Sequence, residues 1–534
     1  MNRLKIYRPL LTARQMQSCD QRTTDVGQLS GFELMARAGA AVARAATCYA
    51  PDSGRVVIIA GPGNNGGDGF AAARVLRQKN IPVTLIPLIP LSEYRGDAAK
   101  HAKLAEQEGV KIRQAVTSEC LLELQRWLPR SVVVVDAIFG TGLARQVEGH
   151  MADAIACING SGRTVLAVDI ASGISADTGE MQGCAVRADF TLPIAAYKWG
   201  HWKQAGAKMS GTLLEPASIG ITQQTMLHAM AESGDGDECA FVSHRDVVRQ
   251  GFPPRSIDAH KNDFGHVWVF GGSVGFTGAP ILTAHGALAA GAGLVSVVCP
   301  DDVWPVVASS SLEAMVHPVS QQIHRDTHWR ADVLVAGPGW GKMRQSELVE
   351  LIALPQPLVL DADALNMVAA DMALQKAVLA RRGITVLTPH PGEAARLLGV
   401  SAQEIQKDRK KAALKLSQLL HGWVVLKGHY SLIASPDGCV VLNPFGTARL
   451  ATAGSGDVLV GVIAASLARC CRHADASEGV DSSTALDNAV VRDAVIAAVA
   501  LHGQAGDTGD WYRAGQLVDQ IAGIRLALAS ESLL

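Results

Sequence analysis

Excess charge of either sign is missing: 48 Lys and Arg face 50 Asp and Glu in a chain of 534 residues, a net charge of −2. That balance provides no electrostatic footprint for a nucleic acid, and 48% hydrophobic residues exclude a disordered chain. The ten cysteines include no Cys-x-x-Cys, and the adjacent Cys470 and Cys471 lie in an apolar stretch of helical pattern. Neither a disulfide framework nor a zinc site is expected, and a reducing cytoplasm is the simple setting. No run of about 18 uncharged apolar residues occurs, so no membrane span is expected. The segment Met1 to Thr23 carries Arg3, Lys5, Arg8 and Arg14 without an apolar run long enough for a signal peptide. The 53 glycines follow no collagen-like period, and the two halves of the chain share no repeat.

What is present is alternation. Short β-branched runs end in acidic or glycine residues and lead into helical patterns. In the first half they are Arg55–Ala60, Pro82–Ile86, Ser131–Asp136 and Thr164–Asp169. In the second they are His266–Phe270, Leu294–Cys299, Val333–Ala336, Leu358–Asp361, Ile384–Leu387 and Trp423–Leu426. Continuous apolar strands between helices predict an α/β fold with largely parallel sheets covered on both faces. Between Gly31 and Ala50, the spacing of Leu34, Met35, Ala38, Ala41, Val42 and Ala45 predicts one amphipathic helix. A small, acidic, flexible seam from about Gln223 to Glu238 divides the chain into domains at 1–222 and 240–534, with 223–239 as linker. The polar stretch Cys471–Ser483 reads as a surface loop.

The strand Arg55–Ala60 runs into Gly61-Pro62-Gly63-Asn64-Asn65-Gly66-Gly67-Asp68-Gly69, with a helix expected from Phe70. Ligands of open parallel sheets bind just beyond strand C-termini, and backbone amides at a helix start favour an anion such as a pyrophosphate. Further loops follow at Asp136–Leu143 and Asp169–Gly173. Asn65, Asp136 and Asp169 thus converge at one sheet edge beside Ser172, an oxygen-rich set suited to a hard cation. Taken singly, each Asp is equally well a cap or a structural bond at a strand end.

The second half carries Gly271-Gly272-Ser273, Gly275–Pro280, Ala336-Gly337-Pro338-Gly339, Asp361–Asn366 and Thr388–Glu393. Its most specific segment is Ala451-Thr452-Ala453-Gly454-Ser455-Gly456-Asp457, leading into an apolar helix. Amides of a Gly-x-Gly-Asp turn form an anion hole for a transferring phosphoryl group, and the Asp accepts a proton from a substrate hydroxyl. The plainer reading makes Asp457 an N-terminal cap.

These motifs carry a resemblance. Residues from about Gly31 to Leu192 resemble the NAD(P)H-hydrate epimerase domain, and nearly all of 240–534, including His502–Asp507, resembles the ribokinase-like ADP/ATP-dependent NAD(P)H-hydrate dehydratases. The fusion looks like the bifunctional NAD(P)H-hydrate repair family. The resemblance implies a Rossmann-like three-layer domain followed by a ribokinase-like α/β domain. It implies that Asn64, Asn65, Gly66, Gly67, Asp68, Gly140, Thr141, Gly142, Leu143, Ala144, Arg145, Gln146 and Asp169 hold a hydrated nicotinamide nucleotide. Asn65, Asp136 and Ser172 would hold potassium, with Ala171 in place of the usual proline before the serine. In the second domain Ala279, Gly339, His390, Pro391, Gly392, Glu393, Ala394, Ala395, Arg396 and Asp457 would bind the hydrated nucleotide. Lys427, Gly428, His429, Tyr430, Ser431, Thr447, Ala448, Arg449, Leu450, Ala451, Thr452, Ala453, Gly454, Ser455 and Gly456 would surround ADP, with Mg2+ as its counter-ion.

Thr447-Ala448-Arg449 departs from the family's Asn-Pro-Gly. Arg449 either reaches a nucleotide phosphate or crowds a turn that needs glycine. The implied substrates are the hydrates of NADH and NADPH, with Asp457 and Asp169 as catalytic groups and no nucleic acid or membrane as partner. Homo-oligomerisation stays open. So do two other readings: a hydroxyl kinase fused to a nucleotide-binding domain, and a sensing or scaffold role for the first domain.

Overall fold

In this computed structural model residues 6–50, 54–117, 121–232, 239–323, 329–478, 486–509 and 513–531 are described. The chain forms two compact units, Arg8–Glu238 and Met1–Tyr7 with Cys239–Leu534.

The first unit is built on a sheet in the order Lys111–Ile112, Val83–Pro87, Val56–Ala60, Val133–Ala137, Thr164–Val168, Phe190–Leu192, Thr212–Leu213, with every neighbouring pair parallel. All five residues of Val56–Ala60 are buried, because both faces of the sheet are covered. Ile58 and Ala60 face Gly69 of the helix Asn64–Gln78. Val57 and Ile59 pack instead with Leu124, Trp127, Ile155 and Ile158. This double burial produces the unbroken apolar runs seen in the sequence. The helix Gly31–Tyr49 opens on a capping box of Ser30 with Glu33 and buries Leu34, Met35, Ala38, Ala41 and Val42. Ala43 and Ala46 are buried beyond them, while Ala45 is only half-buried.

Three expectations change. The helix after Val56–Ala60 begins at Asn64 rather than Phe70, so the Asn-Asn-Gly-Gly-Asp-Gly run is its first turn and a half. Gly63 at φ 88° supplies the left-handed start, and the close fit of the helix to the sheet edge requires Gly66. A Cβ at Gly66 would lie 2.0 Å from the Gly61 carbonyl oxygen. Gly66→Ala therefore costs about 1–3 kcal/mol, read as a lower urea midpoint, since both clashing partners are backbone. Next, residues Gln223–Glu232 of the expected linker form a helix that buries Met226, Ala229 and Met230 and packs on the helix Ala13–Asp25. The rest of the acidic seam, 233–238, lies outside the described residues. Finally, helix continues through Cys471 to Glu478 where a loop was expected; alanines at 474 and 476 favour it. Residues 479–483 of that stretch are outside the described set.

The second unit orders its parallel strands Met315–Pro318, Leu294–Cys299, His266–Phe270, Val333–Ala336, Leu358–Leu360, Thr385–Leu387 and Trp423–Leu426. Leu432–Ala434 and Val440–Leu442 then add antiparallel, and Ala240–Ser243 pairs in parallel with the last. The long helix Ser455–Glu478 lies flush on Gly278–Ala289, where a Cβ at Gly461 would stand 2.0 Å from the Thr283 carbonyl. No helix among the described residues is long and apolar enough to cross a membrane.

Candidate active sites

In the first unit a cavity of about 1020 Å3 opens at the C-terminal edge of the sheet. Asn64, Asn65, Asp68, Gly140–Arg145 and Asp169 line it. Gly66 and Gly67 instead face the packing around Gly61 and Met35, and Gln146 donates to Gln182 on the surface.

Asp169 follows the strand Thr164–Val168 and sits at φ 68°, a left-handed conformation that a non-glycine residue holds only under constraint. The constraint is visible. Its Oδ1 accepts from the Ile194 amide at 3.0 Å and pairs with the Lys198 ammonium. Lys198, fully buried, also donates to the Ile194 carbonyl at 2.7 Å. His201 takes the Lys198 amide on Nδ1 at 3.1 Å, so its Nε2–H donates to the Asp169 carbonyl at 2.8 Å. Burial, with the charge of Lys198, pushes His201 down to about 4 and keeps it neutral. Burial also raises Asp20 to about 6 and holds Asp68 well above the ordinary carboxylate range, with the Asp169 carboxylate adding to both. The cavity thus holds carboxyl groups poised to carry protons beside a fixed ammonium.

Sequence reasoning missed Lys198 and Asp20. A lysine beside Tyr197 and Trp199 reads as a surface charge, and only the fold buries it. Asp20 lies on the helix Ala13–Asp25, whose Thr12–Gln15 capping box is a readable start signal.

Asp136 and Ser172 are buried next to Phe139, which lines the cavity and whose amide donates to the Ser172 hydroxyl at 2.8 Å. The Ser172 hydroxyl donates to Asp136 Oδ1 at 2.6 Å and its amide to Oδ2 at 2.9 Å. Burial raises Asp136 to about 6 against these bonds. Asn65 is buried against Gly140, and its Nδ2 has no hydrogen-bond partner among the described residues. Turning that amide over presents an oxygen at the same place.

In the second unit the acidic groups gather around Lys427. Its Nζ donates to Asp361 Oδ1 at 2.7 Å, which also accepts from the Thr388 hydroxyl at 2.7 Å. Burial alone lowers the Lys427 ammonium, but Asp361 and Glu393 more than offset this and hold it above the ordinary lysine range. Nζ also lies 3.5 Å from where a Cβ would stand on Gly456. Asp457, in the first turn of the helix Ser455–Glu478, makes no side-chain hydrogen bond among the described residues, so it caps nothing. Burial, reinforced by the Asp361 carboxylate, raises it to about 7 against the pull of Lys427. Both carboxylate oxygens are open to a ligand, at a value that would suit a general base near neutral pH.

His390 is the cap of the helix Pro391–Leu398. Its Nδ1 accepts the Gly392 amide at 3.0 Å, so Nε2–H faces Glu393 Oε1 at 3.2 Å. The ring stays half exposed. Ala394 and Ala395 are packed into the core, and Arg396 donates to Asn366 at 2.8 Å. Ala279 and Gly339 are neighbours, since a Cβ at Gly339 would lie 3.1 Å from that of Ala279. The Lys427–Ser431 loop is tied down by Arg409, which donates to the Leu426, Lys427 and His429 carbonyls. Arg449 does not crowd its turn. It lies in the short helical turn Ala448–Leu450 outside the left-handed region, and its guanidinium donates to the Gly509 carbonyl.

Two α/β units, each built on a mainly parallel sheet with buried carboxylates and a glycine-bearing helix start whose amides favour an anion, make a two-domain α/β protein. A family model described as YjeF-related protein N-terminus matches residues 31–200, and one described as NAD(P)H-hydrate dehydratase matches 267–515. Similar proteins include two named bifunctional NAD(P)H-hydrate repair enzyme Nnr. That of Coxiella burnetii is 34% identical over 87% of this chain and 91% of its own length. That of Moorella thermoacetica is 36% identical over 85% and 87%. A solved ADP/ATP-dependent NAD(P)H-hydrate dehydratase from Bacillus subtilis, co-crystallized with ATP and Mg2+, is 27% identical, covering 53% of this chain and 97% of that one at a TM-score of 0.44. The chain belongs to the family of bifunctional NAD(P)H-hydrate repair enzymes.

Proposed function

We propose that the N-terminal domain, 1–222, interconverts the R and S C6-hydrates of NADH and NADPH, and that the C-terminal domain, 240–534, dehydrates the S form with ADP or ATP. The observation that carries the reading is the unengaged Asp457 carboxylate at the Gly454-Ser455-Gly456 helix start, beside the Lys427 ammonium. Hydroxide is a poor leaving group, so the C6 hydroxyl must first be activated. Asp457 takes the hydroxyl proton as that oxygen attacks the terminal phosphoryl group, and the bond to AMP or ADP breaks. Phosphate then departs from C6 with loss of a ring proton, which restores the dihydronicotinamide. Amides of the Gly454–Asp457 turn and Lys427 stabilise the charge on the transferring group.

Magnesium, when bound, neutralises the nucleotide phosphates. Asp361 and Glu393, the buried carboxylates beside Lys427, are the groups that would reach such an ion, which keeps water and phosphate as its other ligands. In the first domain the Asn65 amide, Asp136 and Ser172 offer the oxygen donors potassium prefers, and the Asn65 amide, unpartnered among the described residues, supports a ligand there. Asp169 with Lys198 is the acid–base pair at C6. The soluble nucleotide pool these reactions serve suits a cytoplasmic protein.

Phosphorus NMR of the reaction separates this account from a hydroxyl kinase. Inorganic phosphate appearing with NADH absorbance supports dehydration, whereas a stable phosphate ester on the hydrate means a kinase.

Because the base sits at about 7 in the free enzyme, kcat/KM for dehydration rises about tenfold per pH unit and levels off near neutrality. Lys427→Met removes a charge that lowers Asp457 and moves the limb to higher pH. A profile flat down to about pH 4, the ordinary carboxylate range, contradicts the assignment.

A further inference from the structure

The motif His502-Gly503-Gln504-Ala505-Gly506-Asp507 ends the helix Asn488–Asp507, and the chemistry above leaves it without a role. Its last turns lie flush against the segment leading to the phosphoryl site. A Cβ at Gly503 would stand 2.8 Å from Phe445 Cβ, and one at Gly506 2.7 Å from Leu450 Cγ. Asp507 Oδ1 accepts the Gly446 amide at 3.0 Å, and the Thr447 hydroxyl donates to the Gly506 carbonyl at 3.0 Å. The contact nearest the chemistry is His502, 7% exposed, whose Nε2 stands 2.9 Å from the Ser455 carbonyl oxygen. A carbonyl only accepts, so Nε2 carries the proton.

We infer that His502 is a positioning residue for phosphoryl transfer, holding the Ser455–Gly456 peptide so that the Gly456 amide faces the transferring group. The inference rests on the dehydratase reading. The turn needs outside support. Gly454, at φ 87°, and Gly456 flank Ser455, and glycine weakens a helical turn by roughly 1 kcal/mol relative to alanine. In a planar trans peptide the Ser455 carbonyl and the Gly456 N–H point in opposite directions. A bond that holds the carbonyl toward His502 therefore sets the N–H toward the opposite side. The Ser455 hydroxyl adds a second tie, donating to the Leu450 carbonyl at 2.7 Å. Burial pushes His502 down to about 4, so it stays neutral wherever Asp457 works as a base.

The test compares His502→Leu, which lacks the donor, with His502→Gln, which places an amide donor at the reach of Nε2. A preorganised amide acts on charge in the transition state. His502→Leu therefore lowers kcat for dehydration by about 10–100-fold, with KM for the hydrate within about threefold of wild type. His502→Gln recovers most of the loss, and the pH limb keeps its position in both. An unchanged urea unfolding transition of the second unit reports that the variants are folded. An unchanged kcat in His502→Leu, a loss confined to KM, or no recovery with Gln overturns the inference. Should His502→Leu lower that transition, His502→Gln decides alone: kcat within about threefold of wild type supports the bond, and a 10–100-fold fall overturns it. Wild-type protein without nucleotide-dependent dehydration would instead remove the dehydratase reading itself.

Discussion

Asp457→Asn removes nucleotide-dependent dehydration, with kcat falling by about 10²–10⁴-fold, and leaves epimerisation intact. The asparagine keeps the shape and the polarity of the turn but cannot take the hydroxyl proton. Nothing else in the site replaces it. Asp361 is committed to Lys427 and Thr388, and Glu393 to the amide of His390. Because Asp457 has no hydrogen bond to lose among the described residues, the variant keeps its stability. Removing a nearby uncharged-or-charged switch also leaves Lys427 with its Asp361 partner. A variant that dehydrates at more than a tenth of the wild-type rate, about, would make Asp457 a dispensable neighbour.

Asp169→Asn has the opposite pattern: epimerisation falls by about 10²–10⁴-fold while dehydration of the S hydrate continues. This change also costs stability, about 3–5 kcal/mol, because it strands the buried Lys198 ammonium. The two effects separate in the double variant Asp169→Asn with Lys198→Met. Removing both charges restores most of the stability, since a buried ion pair contributes little over an apolar substitute. Activity stays lost if the pair moves the proton at C6. Recovery of epimerisation along with stability would give Asp169 and Lys198 a structural role alone, and would shift attention to Asp20 and Asp68.

Much of this architecture was legible because burial on both faces leaves an unmistakable mark. Strands such as His266–Phe270 and Leu294–Cys299 appear where their continuous apolar runs place them. Short strands at or near the sheet margins, Lys111–Ile112 and Met315–Pro318 among them, leave no such run and were not expected. The helix start at Asn64 was hidden for a different reason. Glycines there look like a flexible loop, yet Gly66 is required by the approach of the helix to the Gly61 carbonyl. The Gly-Ser-Gly-Asp turn suggests its proposed role by residue type, whereas the roles proposed for Lys198 and Asp20 rest only on where the fold places them. Arg449 shows the limit of comparing residue types at a turn. Whether a side chain is tolerated depends on φ, and at Arg449 the backbone is one that any residue adopts.

The most direct test starts from the pure R hydrate of NADH, supplied with ADP or ATP, magnesium and potassium. A protein with both activities in one chain converts all of it to NADH, read as recovery of the near-ultraviolet absorbance, and does so only with nucleotide present. No recovery from the R hydrate, with the S hydrate still converted, would contradict the account by removing the epimerase from this chain.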